Sequence, residues 1–457
     1  MTNMDQVFRK TLHKLLEEKK LNELHEILNT INGSDLAALF EGMDRESLSV
    51  YFRLLPKERA AETFIEMEPD AQENLIESFS DQELSEIMNE LFADDAADLV
   101  EEMPANVVER ILSQSDPKLR QDINRLLKYP DHSAGSIMTT EYVDLSPTMT
   151  IDVAIAHIRN VGVDQETIYA CYVTDHKKLV GIVSFRAILL APSKLTQIGD
   201  IMDTHVIAAL TTDDQEDVAH MMSRYNFLAL PIVDSEKRMV GIVTFDDAMD
   251  VMEEEATEDM EIMGGMSPSE HTYLKSSPLE LFKHRIGWLL FLMVSATFTG
   301  IIISKFEAAL AAQLALVTFI PMLMDTGGNS GSQASVTIIR ALSLHEVEPS
   351  DLPHILWKEF RTALLAGLSL AAICFAKIMI VDRILLHNPL VTPMVALVVC
   401  VTLIFTVMAA KLIGALLPVG AIKLGFDPAV MSSPLLTTIV DALALLIYFT
   451  IATAVLL

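Results

Sequence analysis

The sequence predicts a multidomain chain: an all-α superhelical N-domain, an α+β tandem repeat, and an α-helical polytopic membrane domain. Three observations carry that prediction. The charge is partitioned along the chain, a strand-and-helix pattern occurs twice in the middle, and apolar runs of membrane-crossing length appear only after residue 280.

The chain has 457 residues and a formal net charge of −30. Residues 280–457 hold ten acidic and ten basic side chains, so that whole charge lies in residues 1–279. An acidic body followed by an apolar, neutral tail disfavours nucleic acid and anionic lipid as partners and favours cations. Cys171, Cys374 and Cys400 form no CxxC pair or Cys/His metal spacing. A disulfide framework, a zinc site and a thiol nucleophile are therefore not expected. The first twenty residues read as a polar amphipathic helix without the apolar core of a signal peptide, which places the acidic body in the cytoplasm.

Residues 1–130 read as helices only. Short apolar-periodic runs recur at Leu36–Phe40, Ala60–Met67, Leu84–Met88 and Ala96–Val100. Acid- and proline-bearing starts separate them, such as Glu68-Pro69-Asp70 and Ser80-Asp81, where a side-chain oxygen can satisfy an orphan backbone N–H. Short helices repeated every ~20–30 residues suggest a small solenoid or superhelix.

Residues 131–250 contain the repeat, divided into about 131–199 and 200–250. Ser136-Ile137-Met138 is echoed by Asp200-Ile201-Met202, and Leu179–Phe185 by Met239–Phe245. Each unit reads strand, helix, strand, strand, helix, with β-branched runs at Tyr169–Thr174 and Leu228–Asp234. The pair resembles tandem cystathionine-β-synthase-type (CBS) modules.

Residues 251–280 form an acidic connecting helix and linker; the helix itself begins near Asp246. Asp250, Glu254 and Glu258 share one helical face, where like charges repel and need compensation from outside the helix. Gly264-Gly265 ends it, and a polar linker over Ser267–Ser277 follows.

Residues 281–457 read as five spans, near Ile286–Ile303, Ala308–Leu342, Thr362–Val381, Val391–Leu417 and Leu435–Leu457, each about long enough for a bilayer core. Lys283, Arg285, Arg340, Lys358, Arg361 and Lys423 mark cytoplasmic ends, leaving the C-terminus outside. Asp441 lies well inside the last span, where a carboxylate normally faces a pore or a partner. The run Asp325–Gln333 is read as a break in the second span, tolerated only against protein or a water-filled cavity. Its oxygen donors suit Mg²⁺ or Ca²⁺ rather than zinc or copper. Ser432 and Ser433, before Pro434, are candidates to line a cytoplasmic mouth.

Pro321–Gln333 and Ser433–Phe449 together resemble the MgtE-type magnesium transporter and channel family, and the order of domains fits it along the whole chain. The resemblance implies a homodimer with one pore at the two-fold axis. Two copies of Asp441 would hold a hydrated ion there, with Asn329 nearby and Thr437 and Asp325 as further pore candidates. The ion is Mg²⁺, with Co²⁺, Ni²⁺ and Mn²⁺ as further candidates. It also implies a gate that senses cytoplasmic Mg²⁺. The acids available for it are Asp94, Asp95, Asp98, Glu216, Asp246, Asp247, Asp250, Glu254, Glu255, Glu258, Asp259 and Asp427. With little Mg²⁺ these charges repel; with much, bridging ions draw them together and close the pore.

CBS modules often bind adenine nucleotides. Thr244 and Asp247 keep the T-x-x-D spacing whose acid takes ribose hydroxyls, whereas the first repeat pairs Ser184 with Ala187. ATP is therefore a candidate ligand, with Tyr172 and Arg186 as base and phosphate contacts; Asp247 is equally a candidate for Mg²⁺ sensing. Two other classes compete: a secondary exchanger of divalent cations coupled to Na⁺ or H⁺, and a membrane-anchored nucleotide or Mg²⁺ sensor. No nucleophile–base set or phosphate loop points to an enzyme.

Overall fold

The computed structural model describes residues 3–269, 273–274, 276–431 and 433–456. Ser432 and part of the linker, residues 270–272 and 275, lie outside the described residues. The chain forms two compact units, residues 1–252 and 253–457.

The first unit opens with ten short helices, α1 to α10, between Asn3 and Leu126 among the described residues. Their starts follow the predicted capping chemistry. Ser80 and Glu83 form a reciprocal capping box, Asp44 accepts from the Ser47 N–H, and Pro69 and Pro117 occupy first turns. Single buried stripes (Leu24, Leu28, Leu36, Leu48, Phe64, Leu75, Leu84) merge into one continuous core, so no helix buries its apolar face alone. The last three helices are α8 (Ala93–Glu102), α9 (Ala105–Gln114) and α10 (Pro117–Leu126).

The repeat folds as read. Its first copy is β1 (Tyr142–Leu145), α11 (Ile151–Val161), β2 (Thr167–Asp175), β3 (Lys178–Ser184) and α12 (Phe185–Leu189). The second is β4 (Ala209–Leu210), α13 (Gln215–Tyr225), β5 (Ala229–Val233), β6 (Met239–Thr244) and α14 (Phe245–Met263). In each, the outer strand pairs parallel with the central strand, which pairs antiparallel with the third.

Packing explains the sequence echoes. A Cβ on Gly241 would stand 2.7 Å from Met138 Sδ, and one on Gly181 would stand 2.5 Å from Met202 Sδ. Backbone bridges Thr139–Ile242 and Ile182–Asp203 fix the same crossings. Each Ile-Met segment thus docks on the glycine of a hairpin, and the segment preceding the first module docks on the second. Tyr172, Ala229, Met239 and Ile242 form a small core shared by both modules.

The second unit contains α15 (Pro278–Lys305), α16 (Glu307–Ala312), α17 (Ile320–Ser343), α18 (Leu352–Lys377), α19 (Pro393–Lys423) and α20 (Ser433–Leu456). A 3₁₀ stretch, Leu314–Phe319, leads into α17, and a π-helical stretch, Ile378–Leu385, extends α18. Four helical stretches among the described residues, Pro278–Lys305, Pro349–Leu385, Pro393–Lys423 and Pro428–Leu456, are long and apolar enough to cross a membrane. Helix α17 carries the polar run but has 24 residues, about 36 Å at 1.5 Å per residue. The second span, expected over Ala308–Leu342, is interrupted at the 3₁₀ stretch Leu314–Phe319 and not at Asp325–Gln333, which lies inside one continuous helix. Without water, a helix satisfies its own peptide groups, and its glycines are used for close approach instead.

Candidate functional site

Glycines of α17 set the geometry of the membrane site. A Cβ on Gly327 would stand 2.8 Å from Thr406 of α19 and 3.0 Å from Val440 of α20, and one on Gly328 3.0 Å from Thr437. A Cβ on Gly414 would meet the Gly331 carbonyl oxygen at 2.4 Å. The absent side chains let α17, α19 and α20 close on one another beside the polar run.

On the exposed side of α17, Asn329 Nδ2 donates to Asp325 Oδ1 at 3.0 Å, one helical turn apart. Asp325 lies near enough to Asp441 for their charges to repel. Asp441 is half-buried, and its Oδ1 is buried without a hydrogen-bond partner among the described residues. The hydroxyls of Thr402 and Thr406 on α19 are likewise buried and unsatisfied. An unpartnered carboxylate oxygen on an apolar helix is costly. The predicted Asp441, Asp325 and Asn329 fall on α17 and α20, whose glycine contact also includes Thr437. No sequence motif marks Thr402 and Thr406; their signal is two hydroxyls four residues apart in the apolar first part of α19. A second overlooked feature is Lys411 of α19, buried 4.0 Å from Glu359 of α18.

In the first unit, Ala93 and Ala97 of α8 enter the core of the second module beside Val218, Met222, Ala248 and Val251. These small side chains bring the acids of α8 to the first turn of α14. Burial pushes Asp95 and Asp98 up to about 7 and Asp247 to about 6. Neighbouring carboxylates push the same way, Asp247 on Asp95 and Asp95 on Asp98. Asp94 is raised by burial, then by Asp95, Asp247 and Glu166, and its Oδ1 is buried without a partner. Glu166, which no sequence pattern marked, is raised to about 8 by burial and by Asp95. Positive charge placed among these carboxylates favours their ionised forms, and all-oxygen ligands fit Mg²⁺. Among the described residues no three acidic, His or Cys side chains are close enough for a ready-made metal cage.

The remaining predicted sensor acids are more dispersed. Glu216 pairs with His220 on α13 at 3.4 Å. Asp246, Asp250 and Glu254 lie exposed on α14, with Glu255 and Glu258 half-exposed. In the second unit, Asp259 accepts from Ser343 Oγ at 3.4 Å and is raised to about 6 by burial and by Asp427. Asp427 Oδ1 accepts from the Ala429 N–H at 2.7 Å, which shapes the loop before α20.

The expected nucleotide contacts do not assemble around Tyr172. Its ring is fully buried in the shared core, edge-on to Tyr142, and is not available to a bound base. Arg186 is exposed on α12. Thr244 Oγ1 donates to Asp247 at 2.5 Å, so the T-x-x-D pair is closed on itself and its acid belongs to the cluster with Asp95.

Comparison with known proteins bears on both units. Residues 320–451 match the family profile "MgtE: Divalent cation transporter", residues 31–132 the MgtE intracellular N domain, and residues 134–194 and 198–254 the CBS domain. A magnesium transporter MgtE of Thermus thermophilus is 36% identical, over 98% of this chain and 98% of its own. One of Bacillus subtilis is 34% identical, over 96% and 95%. The solved cytosolic domain of the Mg²⁺ channel MgtE in complex with ATP is similar over 53% of this chain and 99% of its own, at 36% identity and TM-score 0.51.

Proposed function

The chain belongs to the MgtE family of magnesium transporters, and from that premise we propose that it conducts Mg²⁺ as a channel gated by cytoplasmic Mg²⁺. Transport of Mg²⁺ by a membrane protein follows from the family. The channel mechanism, the gate and the residues that serve them are our reading. One observation carries it: Asp441 presents a buried, unpartnered carboxylate oxygen from an apolar helix, beside Asp325. Two copies of Asp441 in a homodimer hold a hydrated ion, with Asn329 and Thr437 contributing neutral oxygens around its water. In the first unit, Mg²⁺ bridges Asp94, Asp95, Asp98 and Asp247; in the second, it draws Asp259 towards Asp427. The first unit faces the cytoplasm of the cell membrane and the C-terminus faces out. ATP is a second cytoplasmic ligand, as in the solved relative.

Single-channel recording of the purified chain tests this reading. Mg²⁺ currents that shut as internal Mg²⁺ rises are expected. Flux that runs only with an imposed Na⁺ or proton gradient means exchange instead and overturns it.

A further inference from the structure

A polar cavity of about 740 Å³ opens in the first unit, away from Asp247. We propose that it binds a small phosphate-bearing solute, held by Lys118, Arg125, Lys177 and Arg238.

The walls come from three places. Lys118 and Arg125 stand seven residues apart on α10, two turns along one face. Lys177 and Arg238 sit at equivalent turns, β2–β3 of the first module and β5–β6 of the second. Those turns are joined to each other: the Leu179 N–H donates to Lys237 O at 3.2 Å, and the Met239 N–H donates to Lys177 O at 2.9 Å. Lys177 has φ +67 and Lys237 φ +61, so both turns are tightly reversed. The repeat thereby pairs its two hairpins into one rigid wall carrying cations.

Charge selects the ligand. Residues 1–279 carry the whole −30, yet this cavity gathers four cations against three acids. The acids are partly spoken for. Asp144 accepts from Thr174 Oγ1 at 2.7 Å, and Asp234 accepts from the N–H groups of Glu236 and Arg238 within its own turn. Arg238 also pairs with Glu236. Among the described residues Lys177 has no ion-pair partner. Tyr142 lies against the cavity, and its hydroxyl donates to Met239 O at 3.4 Å. Phosphate is the common biological anion that takes several ammonium and guanidinium donors at once. The volume lies in the ordinary range for small-molecule sites, roughly 300–1,000 Å³. A solute seated here touches the last helix of the N-domain and both modules together, so its occupancy feeds into the body that carries the sensor acids.

The test is equilibrium dialysis of radiolabelled pyrophosphate, and separately of ATP, against the full chain in detergent with EDTA present. Saturable binding at one site per chain is expected. It should weaken at least about tenfold in Lys177→Asn, a residue that tolerates the positive φ, and in Arg125→Gln, as expected for losing a charged hydrogen bond. Arg159→Gln, exposed on α11 and outside the cavity, should leave it unchanged. Loss of both probes in Lys177→Asn identifies phosphate recognition; ATP binding alone with the same loss identifies a nucleotide. No saturable binding of either probe overturns the proposal. So does binding unchanged in both cavity variants, or binding lost in Arg159→Gln alone.

Discussion

Replacing Asp95 by Asn tests whether the α8 acids are held against their own repulsion. Asp95 is raised by burial and by Asp247 from 3.8 to about 7. Ionising it in place therefore costs on the order of 4 kcal/mol, at about 1.4 kcal/mol per tenfold change in acidity. A carboxyl raised in the folded state contributes stability that is complete below its unfolded value near 4. That contribution is lost as pH rises through about 7. At pH 8 without Mg²⁺ the wild-type cluster is thus at its most destabilising. Asp95→Asn removes the penalty, shared with Asp98 and Asp247, so a gain of roughly 2–4 kcal/mol is expected rather than the full sum. For a unit of this size that is several degrees or more in melting temperature. Mg²⁺ should stabilise wild type at pH 8, by about 2.7 kcal/mol at a hundred times its dissociation constant. Its effect should shrink at pH 5.5 and in Asp95→Asn. Calorimetry of the full chain in detergent measures all four conditions. A variant that melts at or below wild type at pH 8 in EDTA would falsify the reasoning.

Other expectations concern the membrane unit. Gly414→Ala pushes a methyl into the Gly331 carbonyl and should cost about 1–3 kcal/mol, whereas Gly420→Ala meets open space and should be silent in thermal melts. Lys411→Met leaves Glu359 buried and unpaired and should destabilise by roughly 3–5 kcal/mol, with most of that recovered in Lys411→Met/Glu359→Leu; equal loss in single and double variants would remove the pair from the account. Asp259→Asn with Asp427→Asn should leave flux open at internal Mg²⁺ that closes wild type, read in proteoliposomes; unchanged closure would assign that pair a purely structural part.

The order of domains was legible because composition and period change abruptly: acid-rich short helices, a repeat with glycines at Gly181 and Gly241, then long apolar runs. The strand-and-helix order within each repeat was legible for the same reason. Why those glycines recur was not, since their partners Met202 and Met138 approach through backbone crossings that only the folded chain makes. The Asp325–Gln333 run was misread as a break because three glycines weaken a helix in water. In the folded chain Thr406, Val440, Thr437, Ala410 and Leu436 pack into the space they leave. Asp441, Asp325 and Asn329 stand out in the sequence as polar groups in apolar surroundings. Glu166 sits in a loop with no motif, and Lys411 and Glu359 are single charges on different helices, so only tertiary packing reveals their roles. Tyr172 was assigned by module analogy, and the shared core that buries it depends on both repeats at once.

The most direct test of the pore is Mg²⁺ influx through Asp441→Asn in proteoliposomes carrying an internal Mg²⁺-sensitive dye, beside wild type at equal incorporation. Influx at the level of empty liposomes is expected, from a variant that still assembles with a second copy. Influx close to wild type would contradict the assignment of Asp441 as the ion-facing carboxylate.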